Sequence, residues 1–312
     1  MIPEISVVLP IYNEQAVILE LYKRLEDVLP KSFQFYEVIF VDDGSTDNSL
    51  SIIKEICKQN LNYHYIHFSR NFGHQKALLA GIRNASGDCV VIMDSDLQDP
   101  PEFIPVLYQK LKEGYEWVYA QRTIRKGESF FKKITAKWFY RLLNFFSPID
   151  IPLDTGDFKI MSRKFVNALK KMPEKNIFLR GQMAWLGFKH TSILYDRDPR
   201  FAGKTKFTLN KLLWFAFNGI TSFSNFPLQI ASFFGILFSL VAFLIMLYAF
   251  YSKYILKEAI TGWTSIMVST MFIGGVQLLC IGVIGEYLSR IANDVRNRPD
   301  YVVEESDLPD VE

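Results

Sequence analysis

The chain has 312 residues, with 35 Lys and Arg against 33 Asp and Glu, a formal net charge of +2, and 49% apolar and 22% charged residues. So small a basic excess excludes the electrostatic footprint of a nucleic-acid binder, and the apolar share excludes a disordered chain. The charges are also unevenly placed: residues 228–251 and 261–285 carry no Asp, Glu, Lys or Arg, which excludes a purely cytosolic enzyme.

From the start, Met1–Glu4 has no basic segment and the apolar run Ile5–Leu9 is too short for a signal sequence. That run reads as a first β-strand, and this part of the chain is expected to stay on the side of the membrane where it is made. Val17, Leu21, Leu25 and Val28 then follow helical spacing. Val38–Val41 reads as a second strand, followed by Ser45, Thr46 and Asp47 capping a helix that carries Leu50, Ile53 and Cys57. Tyr63–Phe68 is a third strand, 74–84 a helix, Cys89–Met93 a fourth strand, 101–112 a helix and Trp117–Ala120 a fifth strand. Short apolar strands alternating with helices predict an α/β fold with a mainly parallel sheet covered on both faces. In such sheets ligands bind beyond the carboxyl ends of the strands.

Acidic and turn-forming residues cluster at those ends: Pro10–Glu14 after the first strand, Asp42–Ser45 after the second, and Asp94–Asp99 after the fourth. Carboxylates at 14, 42, 43, 94 and 96 on one sheet edge would repel one another unless something positive sits among them. A hard divalent ion, Mg²⁺ or Mn²⁺, answers that need, because such ions take carboxylate and phosphate oxygens. Asp94 and Asp96 are two apart at a strand end, so one turn brings both toward one ion. His64 and His67, three apart on a strand, face opposite ways, and His74 and His190 stand alone in the sequence, so the histidines read as structural rather than metal-binding. Cys57, Cys89 and Cys280 are widely separated without a CxxC pattern and read as small buried apolar groups.

Further along, Ser129–Phe146 mixes aromatic and basic residues, and Phe207–Asn225 gathers Asn210, Lys211, Asn218, Thr221, Ser222 and Asn225 on one arc. Both patterns suit helices lying in a membrane interface. Leu228–Tyr251, about 36 Å long at ~1.5 Å per residue, and Thr261–Gly285 are each long enough to cross the hydrocarbon core. The short connection between them allows only a hairpin, which puts both chain ends on one side. Lys211, Arg290, Arg296 and Arg298 flank the hairpin, against Lys253 and Lys257 in its loop, and this bias orients the N-terminal part to the cytoplasm. The expected organisation is a catalytic domain over 1–206, an interface helix over 207–227, two membrane spans over 228–285 and a cytoplasmic tail over 286–312. The acidic stretch Glu304–Glu312 reads as a solvated end.

The segments PIYNE at 10–14, VDDGSTD at 41–47 and DSDLQDP at 94–100 resemble the family 2 glycosyltransferases of the GT-A fold. RNFGHQKAL at 70–78, TGDFKIMSR at 155–163 and RFAGKTKF at 200–207 are similar to the polyprenyl-phosphate glycosyltransferases within that family, above all the bacterial bactoprenol glucosyltransferases. The resemblance implies that Tyr12 and Asp43 hold the nucleobase of a nucleotide sugar, with Pro10, Glu14 and Val41 shaping the pocket and Ser95 and Arg122 also on the donor. It implies that Asp94 and Asp96, helped by Gln98, bind the metal that bridges the donor diphosphate. Arg200 and Lys206 match basic positions near phosphates, and Asp157 a carboxylate that acts as a base or positions the sugar. His74 and Lys76 lie in a family-typical stretch without an assigned step.

The activity so implied is inverting transfer of a single hexose from a nucleotide sugar, best matched by UDP-glucose, to a polyprenyl phosphate, best matched by undecaprenyl phosphate. A lipid phosphate is already ionised near neutral pH, with a second pKa of about 6, and needs little help from a base. Asp157 is therefore expected to position rather than to remove a proton. Family resemblance further implies a tetramer at the plasma membrane, and since two spans are too few for a flippase, a separate protein is expected to move the product across it. A processive polysaccharide synthase fits less well: the QxxRW pattern of such enzymes lacks its Arg at Gln182-Met183-Ala184-Trp185, and two spans form no channel. A catalytically inactive sugar-nucleotide sensor is the other alternative, opposed by the intact Asp94 and Asp96.

Overall fold

The computed structural model describes residues 2–122, 155–175, 177–196, 226–251, 254–255 and 262–309. Arg200, Lys206 and the two expected interface helices lie outside these residues. The five expected strands are present as β1 (Ile5–Ile11), β2 (Tyr36–Asp42), β3 (Tyr63–Phe68), β4 (Cys89–Ile92) and β5 (Trp117–Arg122). The helices between them are α1 (Ile18–Ser32), α2 (Ser49–Gln59), α3 (His74–Asn84) and α4 (Ile104–Lys112), the last entered through a 3₁₀ turn at Pro101–Phe103. Beyond these come β6 (Thr155–Ser162), α5 (Arg163–Lys170), α6 (Leu179–Trp185), β7 (His190–Tyr195), α7 (Phe226–Tyr251), α8 (Trp263–Arg296) and β8 (Val303–Ser306).

The strands form one sheet in the order β7-β5-β6-β4-β1-β2-β3-β8. β4, β1, β2 and β3 run parallel at its centre and β5 and β7 pair in parallel at one edge, while β6 and β8 are antiparallel to their neighbours. β1 and β2 are buried along their whole length, so neither face of the central sheet meets water. Alternate residues feed two cores. Ile5, Val7, Leu9, Val38 and Phe40 pack with Leu21 and Leu25 of α1, Ile53 of α2 and Leu107 of α4. Val8, Ile39 and Val41 pack with Ala77, Leu78 and Ile82 of α3 and with Phe165 of α5. Gly81 lets α3 lie close on β1, since a Cβ there would come within 2.1 Å of Val8.

α7 and α8 are of another kind. Each contains an apolar window long enough to cross a membrane, and neither window is buried against the protein. Ile236, Leu244, Met271 and Leu278 all stand exposed, which no core helix of a soluble protein would tolerate. The two helices meet along one side, where Phe238 and Phe272 stack edge to face with centroids 5.2 Å apart.

One expectation fails at the C-terminus. Residues 303–306 form β8, antiparallel to β3, rather than a solvated end. The reason lies in β3, whose outer edge would otherwise present unpaired backbone groups; the acidic strand satisfies them while its charges discourage further pairing.

Candidate active site

The loops after β1, β2 and β4 meet at the carboxyl edge of the central sheet. The first two are zipped together. Asn13, with φ of 53°, accepts the Thr46 amide on its side chain at 2.8 Å, and its own amide donates to Ser45 Oγ at 2.9 Å. The Glu14 amide donates to Ser49 Oγ at 3.0 Å. Pro10 and Val41 are buried register partners in β1 and β2, and Tyr12 is exposed just beyond.

Asp42 ends β2 and Asp43 follows it, and the two carboxylates take different partners. Asp42 is fully buried; its Oδ1 accepts from the Ser45 amide and hydroxyl, and His67 Nδ1 lies 2.7 Å from its Oδ2. Asp43 accepts the Phe72 amide at 2.6 Å and the Gly73 amide at 3.0 Å. Gly44 permits this approach: at φ of 67° it lies against Arg70 and Asn71, where a Cβ would come within 2.4 Å of backbone. Burial raises the Asp43 carboxyl above its ordinary value, and the two amides counter this only in part.

After β4, Ser95 and Asp96 are buried and Asp94 is partly exposed. Asp96 Oδ1 accepts the Gln98 amide at 3.1 Å, across a buried Leu97 whose φ is 59°. A leucine in that conformation costs about 1–2 kcal/mol. Asp99, fully buried, accepts the Tyr195 hydroxyl and anchors the loop's far end.

Asp157 enters from β6, inside the sheet. His74 Nε2, at the first residue of α3, lies 3.3 Å from Asp157 Oδ2 and 3.5 Å from Asp94 Oδ1. Arg180 Nε donates to Asp157 Oδ1 at 3.2 Å, and Lys159 Nζ lies 3.7 Å from the same oxygen. Gln75 positions that arginine, for its side chain accepts the Leu179 amide at 3.2 Å and fastens the start of α6 beside α3. Burial alone would raise Asp157, but the Arg180 charge, the His74 hydrogen bond and Lys159 hold it well below the ordinary carboxylate range. Although the His74 side chain is 45% open to solvent, the protein crowded around its ring opposes its charge, yet Asp157 and Asp94 outweigh this and lift the imidazole to about 9. Lys159, almost wholly enclosed, is pushed down to about 8 by burial despite the attraction of Asp157.

His74, Asp94 and Asp157 present ligand atoms within 4.8 Å of one another, close enough to share a metal ion. His74 is thus neither isolated nor remote from a metal-capable site, contrary to its reading from the sequence, and Asp96 stands outside this trio among the described residues. His67 and His64 are paired structurally, with Asp42 and with Asp307 respectively. Arg122 ends β5 opposite Tyr195 in register. Sequence reasoning missed Lys159 and Arg180. Lys159 sits in plain view in the 155–163 motif, where a charge two residues from Asp157 on a strand shares its face; Arg180 has no local signal.

A family profile described as "Glycosyl transferase family 2" matches residues 6–170. An uncharacterized glycosyltransferase, YkcC, of Bacillus subtilis is 50% identical over 96% of this chain and 93% of its own length. The SfII prophage-derived bactoprenol glucosyl transferase of Shigella flexneri is 39% identical over 97% of this chain and 98% of its own. Among solved structures, glucosyl-3-phosphoglycerate synthase from Mycobacterium tuberculosis, in complex with Mn²⁺, UDP and glucosyl-3-phosphoglycerate, superposes with a TM-score of 0.49 at 22% identity, over 70% of this chain and 78% of that one.

Proposed function

This chain belongs to glycosyltransferase family 2, with a GT-A-like fold, and we propose that it transfers a single hexose from a nucleotide sugar to a polyprenyl phosphate at the membrane surface. The observation that carries the acceptor is the union, in one chain, of an acidic strand-end site with two helices that each contain an apolar stretch of membrane-spanning length. A soluble acceptor would call for no such helices. Glucose and a bactoprenol-type acceptor, undecaprenyl phosphate, are the choices that the bactoprenol glucosyl transferase relatives favour, and UDP is the nucleotide that the resemblance of the sequence motifs implies. The soluble domain over 1–206 then faces the cytoplasm, where nucleotide sugars are made, with the hairpin in the plasma membrane.

Asp43 accepts an N–H from the nucleobase, with Tyr12 stacking beside it. Asp94 and Asp96, with Gln98, would supply hard oxygen donors from one loop for Mg²⁺ or Mn²⁺, while His74, lifted to about 9, stands beside Asp94 as a cation rather than as a ligand. Such an ion offsets the charge that develops on the departing diphosphate. Asp157, held so far toward its ionised form, is a poor proton acceptor. Its chemistry suits a fixed negative anchor that keeps Arg180, Lys159 and His74 aimed at sugar and phosphate oxygens.

The test is an assay of the purified chain with Mg²⁺ or Mn²⁺, undecaprenyl phosphate and a panel of labelled UDP- and GDP-sugars, read as label entering the organic phase. One donor gives metal-dependent lipid product, and Asp96→Asn abolishes it. Nucleotide binding without lipid product from any donor would overturn the reading in favour of a sensor.

A further inference from the structure

The segment after α8 docks on the sheet edge behind the donor site. Asp300 is buried and takes Arg83 Nη1 at 2.7 Å. Tyr301 stacks on Phe68 with centroids 4.9 Å apart and planes 14° from parallel. The Ser69 amide donates to Val302 O at 3.0 Å, and β8 then pairs along β3. Every one of these contacts but the Arg83 ion pair falls on β3 or the residue after it, and β3 leads directly into the loop that gives both amides to Asp43.

Two lines of contact run from the tail to the Asp42–Asp43 pair. In the first, Tyr301 stacks on Phe68, Phe68 meets Phe72 edge to face at 5.7 Å, and the Phe72 amide donates to Asp43. In the second, the His67 ring lies between the tail and Asp42: Nε2 is 3.5 Å from Glu304 Oε2, and Nδ1 is 2.7 Å from Asp42 Oδ2. A carboxylate only accepts, so Nδ1 carries the proton toward Asp42. Asp42 in turn fixes Ser45, whose hydroxyl receives the Asn13 amide of the neighbouring loop.

We propose that residues 300–307 are a positioning element for the donor nucleotide, holding Asp42 and Asp43 from behind through His67 and through the Tyr301–Phe68–Phe72 stack. The inference rests on the reading of the Asp43 pocket as the nucleobase site. It makes the end of the membrane hairpin part of the donor site's support, although no tail residue touches the donor. Because the support acts on binding geometry rather than on the reacting atoms, its loss falls on donor affinity.

The experiment titrates UDP into full-length protein by calorimetry, with donor KM, kcat and thermal midpoint measured alongside. The variants are His67→Ala, His67→Asn, Tyr301→Ala and, as reference, Asp43→Ala. Asparagine offers an N–H near the place of Nδ1 and so keeps the bond to Asp42. His67→Ala and Tyr301→Ala are expected to weaken UDP binding by about five- to tenfold, the scale of one ordinary net hydrogen bond. The loss should appear in KM rather than kcat, with His67→Asn recovering most of it. Unchanged UDP affinity in His67→Ala and Tyr301→Ala, beside its loss in Asp43→Ala, overturns the proposal alone. Equal losses in kcat and thermal midpoint without rescue by asparagine also overturn it, as a merely structural contact. Wild-type affinity in Asp43→Ala overturns the nucleobase reading and the proposal together.

Discussion

Asp43 and Asp157 are both buried, 3% and 7% exposed, at the same edge of the same sheet, yet their surroundings push them in opposite directions. Asp43 is held by neutral backbone amides, and burial raises its carboxyl. Asp157 is ringed by Arg180, His74 and Lys159, which drive it far below its ordinary value. Burial therefore does not decide the charge of a buried acid; the charge of its partners does. The difference also separates two tasks. A carboxylate on neutral donors can hand acceptor capacity to a ligand, whereas one committed to three cations serves to organise those cations.

The sharpest way to break this contrast is to remove the Asp157 side chain. Asp157→Ala leaves Lys159 and Arg180 without their shared counter-charge and is expected to cost about 3–5 kcal/mol of stability, read by denaturant unfolding, along with most turnover. Asp157→Asn keeps the shape and one acceptor, and it should retain at least about a tenth of wild-type turnover, since little general-base help is needed for an ionised phosphate. Near-complete loss of turnover in the asparagine variant, with stability and UDP affinity kept, would make Asp157 a base and erase the distinction.

Asp43→Asn should be milder, about 1–3 kcal/mol, because its partners are uncharged and one carbonyl oxygen can still accept from them. Its effect belongs on UDP affinity, and a fall in stability as large as that of Asp157→Ala would show that the two sites are not different in kind.

The smallest effect is in the pH dependence of His74. Its pKa is raised from 6.5 to about 9, so its contribution to stability is complete below 6.5 and lost as pH rises through about 9. The difference in thermal midpoint between wild type and His74→Gln should therefore shrink across that alkaline window. Asp157, shifted the other way, contributes fully above its ordinary 3.8 and gives up its share only as pH falls through its lowered value. A gap that stays constant from pH 6.5 to above 9 would remove His74 from the ion cluster.

The contrast also marks how far sequence could be read. β1 to β5 were legible because a parallel strand buried on both faces is an unbroken apolar run. β6 was not, because Asp157 and Lys159 interrupt its apolar pattern, and the charges that hid the strand are the ones that carry the site. β8 was hidden for the opposite reason: Val303-Glu304-Glu305-Ser306 looks like a solvated end, and only the open edge of β3 makes it a strand. The carboxylates at 43, 94 and 157 could be picked out from motifs. The pairing of Arg180 and His74 with Asp157 could not, since they reach it from two helices far apart in the chain.

The position of β8 in the chain has a consequence for how the protein is made. Synthesis runs from β1 onward, so β8, the outer strand on the β3 side of the sheet, emerges only after both apolar helices have left the ribosome. Until then β3 keeps an open, aromatic-rich edge, able to recruit a foreign strand. The soluble domain thus cannot finish itself in advance of the hairpin, and a nascent chain stalled before residue 300 is left with a sticky margin that a full-length chain never shows.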